Sequence, residues 1–313
     1  MLGDDVRGRV PCKPIMKWVG GKYALLKKYQ ELGLLPDDIQ NRRLVDPFCG
    51  SGAPLFRLAP MDALLSDSNP DITALLTAIR DQPEELCELL DRHQEEFDAA
   101  LKAGQGSKYH NRWQKRLNVG FRPIRQTDMF AEESADEPLV GLERAAVFYA
   151  VTQCSYNALC RYGPDGHNAG YCHAERNGVV PVISRRDRIM PASAALKGVD
   201  IRCADFRNTV KEARSGDILF VDNPYFPTSK TANFTKYTRG GFRGQDHLDL
   251  RDALNSARER GVTIFKCDSC VPWVAQHYPE PHWTLDIVER QGTMNSKKTG
   301  RSKVPEYVVR SRS

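Results

Sequence analysis

The chain has 313 residues, of which 41% are hydrophobic and 27% charged, enough for one large domain or two ordinary ones with a packed core. Global disorder is excluded by that balance, and the formal net charge of +5 is too mild to identify a nucleic-acid partner by itself. No apolar run reaches the roughly 18 residues of a membrane-spanning helix, and the start Met1-Leu2-Gly3-Asp4-Asp5 lacks the basic and apolar parts of a secretion signal.

From the N-terminus, a loop at 17–22 leads into a helix expected over 23–32. Residues 43–47 read as a short strand running into the glycine-rich turn Cys49-Gly50-Ser51-Gly52. A helix opens at 54–58, and 62–66 reads as a second strand ending at Asp67. Strand, glycine turn, helix, strand and acid form the first half of a doubly wound sheet. A long interruption follows, with helical periodicity at 69–80, 84–101 and 142–159 and a glycine- and acid-punctuated stretch at 104–137. Residues 162–178, rich in Gly, Asn and His, read as a loop or hairpin. After a helix at 185–196 the sheet resumes at 199–203, and the apolar strand 218–221 ends on Asp222-Asn223-Pro224-Tyr225. A helix at 246–260, a strand at 262–266 and a hairpin of 284–288 with 307–309 complete the chain. No repeat of a solenoid or propeller is visible.

Nine scattered cysteines, an odd number, suit a reducing compartment and predict a cytoplasmic protein with packed thiols. Cys267-x-x-Cys270 is the one close pair; His277 and His282 lack zinc-site offsets, so no metal is expected. Charge is unevenly spread. Residues 84–98 are acid-rich, whereas 286–313 set Arg290, Lys297, Lys298, Arg301, Lys303, Arg310 and Arg312 against Asp286, Glu289 and Glu306, a stretch suited to phosphates.

Three motifs carry chemistry. In Asp46-Pro47-Phe48-Cys49-Gly50-Ser51-Gly52, glycines after a strand let a ligand approach the backbone. The spacing fits neither the dinucleotide fingerprint nor a phosphate-binding loop. Asp67, at the end of the second strand, is placed for a ribose diol, or else caps the next helix, as Ser68 or Asn69 could instead. The third, Asp222–Tyr225, resembles the acid-Pro-Pro-aromatic signature of enzymes that methylate exocyclic amines. An adenine amine is conjugated with its ring and barely nucleophilic. A carboxylate and a backbone carbonyl that accept its two hydrogens favour a pyramidal nitrogen, while an aromatic ring stacks on the extruded base.

Lys17-Trp18-Val19-Gly20-Gly21-Lys22, Asp46–Gly52, Ser66-Asp67-Ser68-Asn69-Pro70-Asp71 and Asp222–Tyr225 follow one another in the order of the Dam-type (D12 class) DNA adenine-N6 methyltransferases. Ser155-Tyr156-Asn157-Ala158-Leu159-Cys160-Arg161-Tyr162, Thr231-Ala232-Asn233-Phe234-Thr235 and Asn295-Ser296-Lys297-Lys298 extend that resemblance over nearly the whole chain. It implies a seven-stranded α/β, Rossmann-like methyltransferase sheet built from 1–71 and 189–313, with a mainly helical target-recognition insertion at 72–188. The implied reaction is transfer from S-adenosylmethionine to adenine N6 in double-stranded DNA by base flipping, at GATC or a related site. A soluble monomer with no membrane partner is implied, from a bacterium or phage and with restriction-modification as one setting. The cofactor would meet Trp18, Gly20, Lys22, Phe48, Gly50, Gly52, Asp67, Asp205 and Phe206. Asp222, Asn223, Pro224 and Tyr225 would be catalytic. DNA would meet Lys17, Tyr156, Asn157, Leu159, Arg161, Asn233, Lys297 and Lys298, with Arg161 on a guanine edge and Tyr156 wedged into the base stack.

Two departures matter. Where the family has a second proline this chain has Asn223, which keeps the carbonyl but loses the rigid φ and predicts a freer loop before Tyr225. Residues 163–173 also differ from the family's recognition loop. The rival readings are cytosine-N4 methylation, which uses a similar acidic motif, and a DNA-binding protein of methyltransferase descent with little activity. Cytosine-C5 methylation needs a Pro-Cys nucleophile after the cofactor motif, and Pro11-Cys12 lies before it.

Overall fold

Seven strands form the central sheet: β1 Arg43–Asp46, β2 Asp62–Asp67, β5 Asp200–Cys203, β6 Ile218–Val221, β7 Thr263–Ser269, β8 Trp283–Gln291 and β9 Lys303–Ser311. The structure is a computed structural model that describes residues 9–16, 21–120, 137–228, 242–291 and 303–312. Strand order is β5-β2-β1-β6-β7-β9-β8. The first five strands in that order run parallel, and β9 pairs antiparallel with both β7 and β8. Strand β6 is an unbroken Ile-Leu-Phe-Val run because both faces of a central parallel strand are covered. Its residues alternate between two cores: Ile218 and Phe220 join one apolar cluster, Leu219 and Val221 the other. Leu44 and Val45 of β1 divide in the same way.

Chain order reverses between β1 and β6, so the carboxyl ends of these two strands open the crevice in which doubly wound sheets bind ligands. Asp46 ends β1, Asp67 ends β2 and Val221 ends β6. The three motifs therefore converge on one edge of the sheet.

Helices α1 Tyr23–Glu31 and α2 Ala53–Leu58 belong to the first half of the fold. Next come α3 Pro70–Asp81, α4 Pro83–Lys102, α5 Gly106–Leu117 and α6 Gly141–Cys154, then the hairpin β3 Tyr162–Gly163 with β4 Gly166–His167, then α7 Ala174–Asn177 and α8 Arg186–Leu196. Helices α9 Phe206–Lys211, α10 Gly244–Glu259 and α11 Pro272–His277 accompany the second half of the sheet. Helix α3 begins with Asn69 as its cap, the side chain accepting from the Asp71 N–H at 3.0 Å. Asp71 itself is buried and receives Arg144 of α6 through Nε at 2.6 Å and Nη2 at 3.2 Å, together with the Tyr162 hydroxyl. This cluster fastens α6 and the β3–β4 hairpin to the start of α3.

Three elements differ from the sequence expectation. The stretch 104–137 contains α5, where Tyr109, Trp113 and Leu117 recur at four-residue spacing toward the core on an otherwise strongly polar helix, a stripe obscured by the glycines and charges around it. The helix expected to run to 159 stops at Cys154. Ser155 bridges to Tyr171, and Asn157 and Ala158 take φ of 57° and 52°, which a helix does not accommodate. The closing hairpin is also longer than expected, since charged residues continue both strands past their apolar centres. Among the described residues no helix is long and apolar enough to cross a membrane.

Candidate active site

The turn after β1 is shaped by two glycines with positive φ, 46° at Gly50 and 71° at Gly52. A Cβ at Gly52 would lie 2.9 Å from a ring carbon of Phe56, so the position needs glycine for space as well as conformation. Asp67 holds this turn from the neighbouring strand: its carboxylate accepts the Gly50 N–H at 3.0 Å and the Asn69 N–H at 2.9 Å. Burial pushes its carboxyl up to about 6, against the pull of the Asn69, Gly50 and Ser68 backbone N–H groups. Asp46 is buried beside it and accepts the Phe48 N–H at 3.1 Å, and burial again pushes its carboxyl well up.

Phe48 stacks on Phe206 with ring centroids 5.3 Å apart, and Phe242 meets both at 5.8 and 5.7 Å. Asp205 is exposed, caps α9 through the Arg207 N–H and pairs with the Arg207 guanidinium at 2.9 Å. A turn that admits close backbone approach, an acid beside it and an aromatic wall fit a ligand carrying a ribose and a flat ring. Of the residues expected at the cofactor, Phe48, Gly50, Gly52, Asp67, Asp205 and Phe206 gather here.

Lys22, expected at the cofactor, is in contact with the Asp222–Tyr225 motif. Its buried ammonium sits 2.8 Å from Asp222 Oδ1 and 5.0 Å from the centroid of the Tyr225 ring. Desolvation pulls the Lys22 ammonium down, but Asp222, Cys267 and Glu306 outweigh it and the group stays charged beyond its ordinary range. Burial pushes Asp222 up despite the pull of Lys22. One carboxylate oxygen of Asp222, Oδ1, thus faces the lysine.

Asn223 is buried, its Nδ2 donating to the Pro224 carbonyl at 2.8 Å, while its Oδ1 is buried with no hydrogen-bond partner among the described residues. The freer loop expected from the loss of proline is thus held by the asparagine's own amide. Beyond the motif, Asp268 Oδ1 accepts the Phe226 N–H at 2.8 Å, and Phe226 stacks on Trp273 at 4.3 Å. The Tyr225 hydroxyl donates to Glu306 Oε2 at 2.9 Å.

Glu306, Arg290, Tyr29 and Asp268 surround this motif, and the sequence reading gave none of them a role there. Glu306 stood only as one acid in a basic tail; its place two residues from Val308 on the same strand face, among buried positions, was the available signal. The described bases of that tail are all paired: Arg290 with Glu306, Lys303 with Glu289, Arg310 with Asp286 and Arg312 with Glu280.

Away from the crevice, the turn after α6 presents Tyr156 and Asn157 to solvent, with Leu159 half-buried. Half of the Tyr156 surface is exposed, so its ring is not part of the core. Arg161 is exposed and braced by Asn168, donating through Nε to Oδ1 at 2.9 Å and through Nη2 to the backbone carbonyl at 3.1 Å. Lys17, Trp18, Gly20, Asn233, Lys297 and Lys298 lie outside the described residues.

A family model described as D12 class N6 adenine-specific DNA methyltransferase matches residues 18–269. A type II methyltransferase of Lactococcus lactis subsp. cremoris, M1.LlaDCHI, is 29% identical over 97% of this chain and 96% of its own length. A DNA adenine methylase of Vibrio cholerae is 27% identical over 95% of both chains. The DNA N-6-adenine-methyltransferase of Escherichia phage P1 is 26% identical over 91% of this chain and 33% of that protein.

Proposed function

The chain belongs to the D12 class of N6 adenine-specific DNA methyltransferases, and we propose that it uses S-adenosylmethionine to methylate an adenine flipped out of double-stranded DNA, with GATC as the first target to test. The observation that carries this reading is the convergence of the glycine turn, Asp67 and the Asp222–Tyr225 motif at the switch point of the sheet. Phe48, Gly50, Gly52, Asp67, Asp205 and Phe206 would hold the cofactor, with Trp18 and Gly20 completing its pocket. When bound, the cofactor would supply an electrophilic methyl on a cationic sulfur that leaves with the carbon–sulfur bonding pair, and the proton lost by the methylated amine would pass to solvent.

The protein's part is presentation of the amine. Oδ2 of Asp222 accepts one amino hydrogen and the carbonyl of residue 223 the other, which frees the N6 lone pair. Lys22 keeps Asp222 ionised and oriented through Oδ1. Tyr225 stacks on the extruded base. Residues 72–188 form the target-recognition insertion between the catalytic parts 1–71 and 189–313. There Arg161 reads a guanine edge, Tyr156 wedges into the stack, and Lys17, Asn157, Leu159, Asn233, Lys297 and Lys298 contact the duplex. Cytoplasmic location and a monomer acting alone on DNA belong to the same reading.

Transfer of tritiated methyl to duplexes containing GATC, against duplexes with that site scrambled, tests it. Equal incorporation into both removes GATC as the target. Incorporation into cytosine would favour the N4 reading.

A further inference from the structure

Glu306 is a carboxylate held where burial carries a desolvation cost. It sits on β9 with no exposed surface, opposite Ser269 of β7 and Val288 of β8, where an apolar residue would pack without a desolvation penalty. Both carboxylate oxygens are engaged. Oε1 receives the Tyr29 hydroxyl from α1. Oε2 receives the Tyr225 hydroxyl at 2.9 Å and lies 3.1 Å from Arg290 Nε as an ion pair. Arg290 also lies 5.7 Å from the Tyr225 ring centroid, and Lys22 5.0 Å from it.

We propose that Glu306 is a positioning residue for methyl transfer, holding the Tyr225 hydroxyl so that the ring presents a fixed plane to the extruded adenine. This rests on the reading of Tyr225 as the stacking residue. A tyrosine on a loop is attached to the backbone at Cβ alone and can swing about two side-chain torsions. A second attachment, at the hydroxyl on the far end of the ring, removes that freedom. The anchor is itself rigid, because β9 lies between two strands and Tyr29 and Arg290 fill the rest of the carboxylate. Burial keeps the Tyr225 phenol protonated, which the donated hydrogen bond requires. Stacking needs only a ring, so the carboxylate's contribution falls on the geometry of the reacting amine, where about 1 Å of error costs on the order of a hundredfold in rate.

The test is a double-mutant cycle on the full-length enzyme, using Tyr225→Phe, Glu306→Gln and both together, read by single-turnover methyl transfer and by 2-aminopurine fluorescence at the target base. Tyr225→Phe and Glu306→Gln should each slow transfer about tenfold. The double variant should be no slower than either, and the KM for cofactor should stay within about twofold. Losses that multiply to about a hundredfold would show that Glu306 acts on the fold independently of the hydroxyl, and an unchanged rate in Glu306→Gln would equally overturn the proposal. Should Glu306→Gln fail to fold, Tyr225→Phe still decides, because it leaves the carboxylate with Tyr29 and Arg290: a wild-type rate sinks the idea. The two readings fail separately. Wild-type methylation without a rise in fluorescence removes base flipping and the stacking plane with it, whereas a normal rise with multiplicative losses removes only the role of Glu306.

Discussion

Replacing Asn223 by proline would restore the residue that related motifs carry, and the structure sets the sign of the effect. The asparagine side chain makes one useful contact, Nδ2 to the Pro224 carbonyl at 2.8 Å, and carries one liability, a buried Oδ1 without a partner among the described residues. Proline removes both. Relief of the unpaired oxygen is worth about 1–3 kcal/mol and loss of the hydrogen bond about 0.5–1.5 kcal/mol, so the variant should be no less stable than the wild type. Rate follows different logic. The lost bond ties residue 223 to the peptide immediately before Tyr225, and proline's fixed φ constrains residue 223 but not that next carbonyl. If about 1 kcal/mol of ordering is lost from the reacting arrangement, methyl transfer slows about fivefold. Single-turnover transfer at saturating cofactor and DNA, beside a thermal melt, checks both halves. A proline variant as fast as or faster than the wild type would show that the asparagine amide contributes nothing to presentation of the amine.

Three further outcomes are expected. Asp222→Asn should abolish transfer while cofactor affinity stays within a few-fold, as measured by calorimetry. Asparagine is the better test than alanine, because it keeps the side chain's size and an oxygen that can still accept from buried Lys22, so a loss of transfer is less easily confused with a loss of folding. Asp67 has a carboxyl raised to about 6, so it is charged above that pH and protonated below it. A ribose diol needs the charged acceptor, so cofactor affinity should hold above pH 6 and fall by up to about tenfold per unit below it. The same shift favours the folded, ligand-free protein in acid, a contribution lost as the pH rises through 6; an affinity flat between pH 5 and 8 would remove Asp67 from the cofactor. Arg161→Ala should cost about 1–3 kcal/mol at one base position and relax specificity there. Equal weakening on every sequence, measured by competition with single-base variants of the site, would make Arg161 a backbone contact.

The sequence reading located the crevice because its strands are apolar runs that stop at polar residues: Arg43–Asp46, Asp62–Asp67 and Ile218–Val221 each announce where a carboxyl end lies. The cap of α3 was legible only as a choice among Asp67, Ser68 and Asn69, and the structure uses Asn69. What escaped notice is interaction across long separations. Nothing near Asp71 in the chain points to Arg144 or Tyr162, and nothing near Tyr225 points to Glu306, 81 residues on. Helix α5 escaped because its buried side is aromatic and histidine-bearing rather than aliphatic.

The basic tail shows most plainly how counting differs from placement. Seven bases against three acids suggested a phosphate-binding surface, yet Arg290, Lys303, Arg310 and Arg312 each face a carboxylate within the same molecule. A base already paired releases little on meeting a phosphate, since the gain in counterions is offset by the ion pair it breaks. Any electrostatic affinity from this segment is therefore expected of Lys297, Lys298 and Arg301, which lie outside the described residues. A tail read as a diffuse cloud of charge thereby becomes a strand pair whose described charges tie β8 to β9 and, through Glu306, hold the Tyr225 hydroxyl.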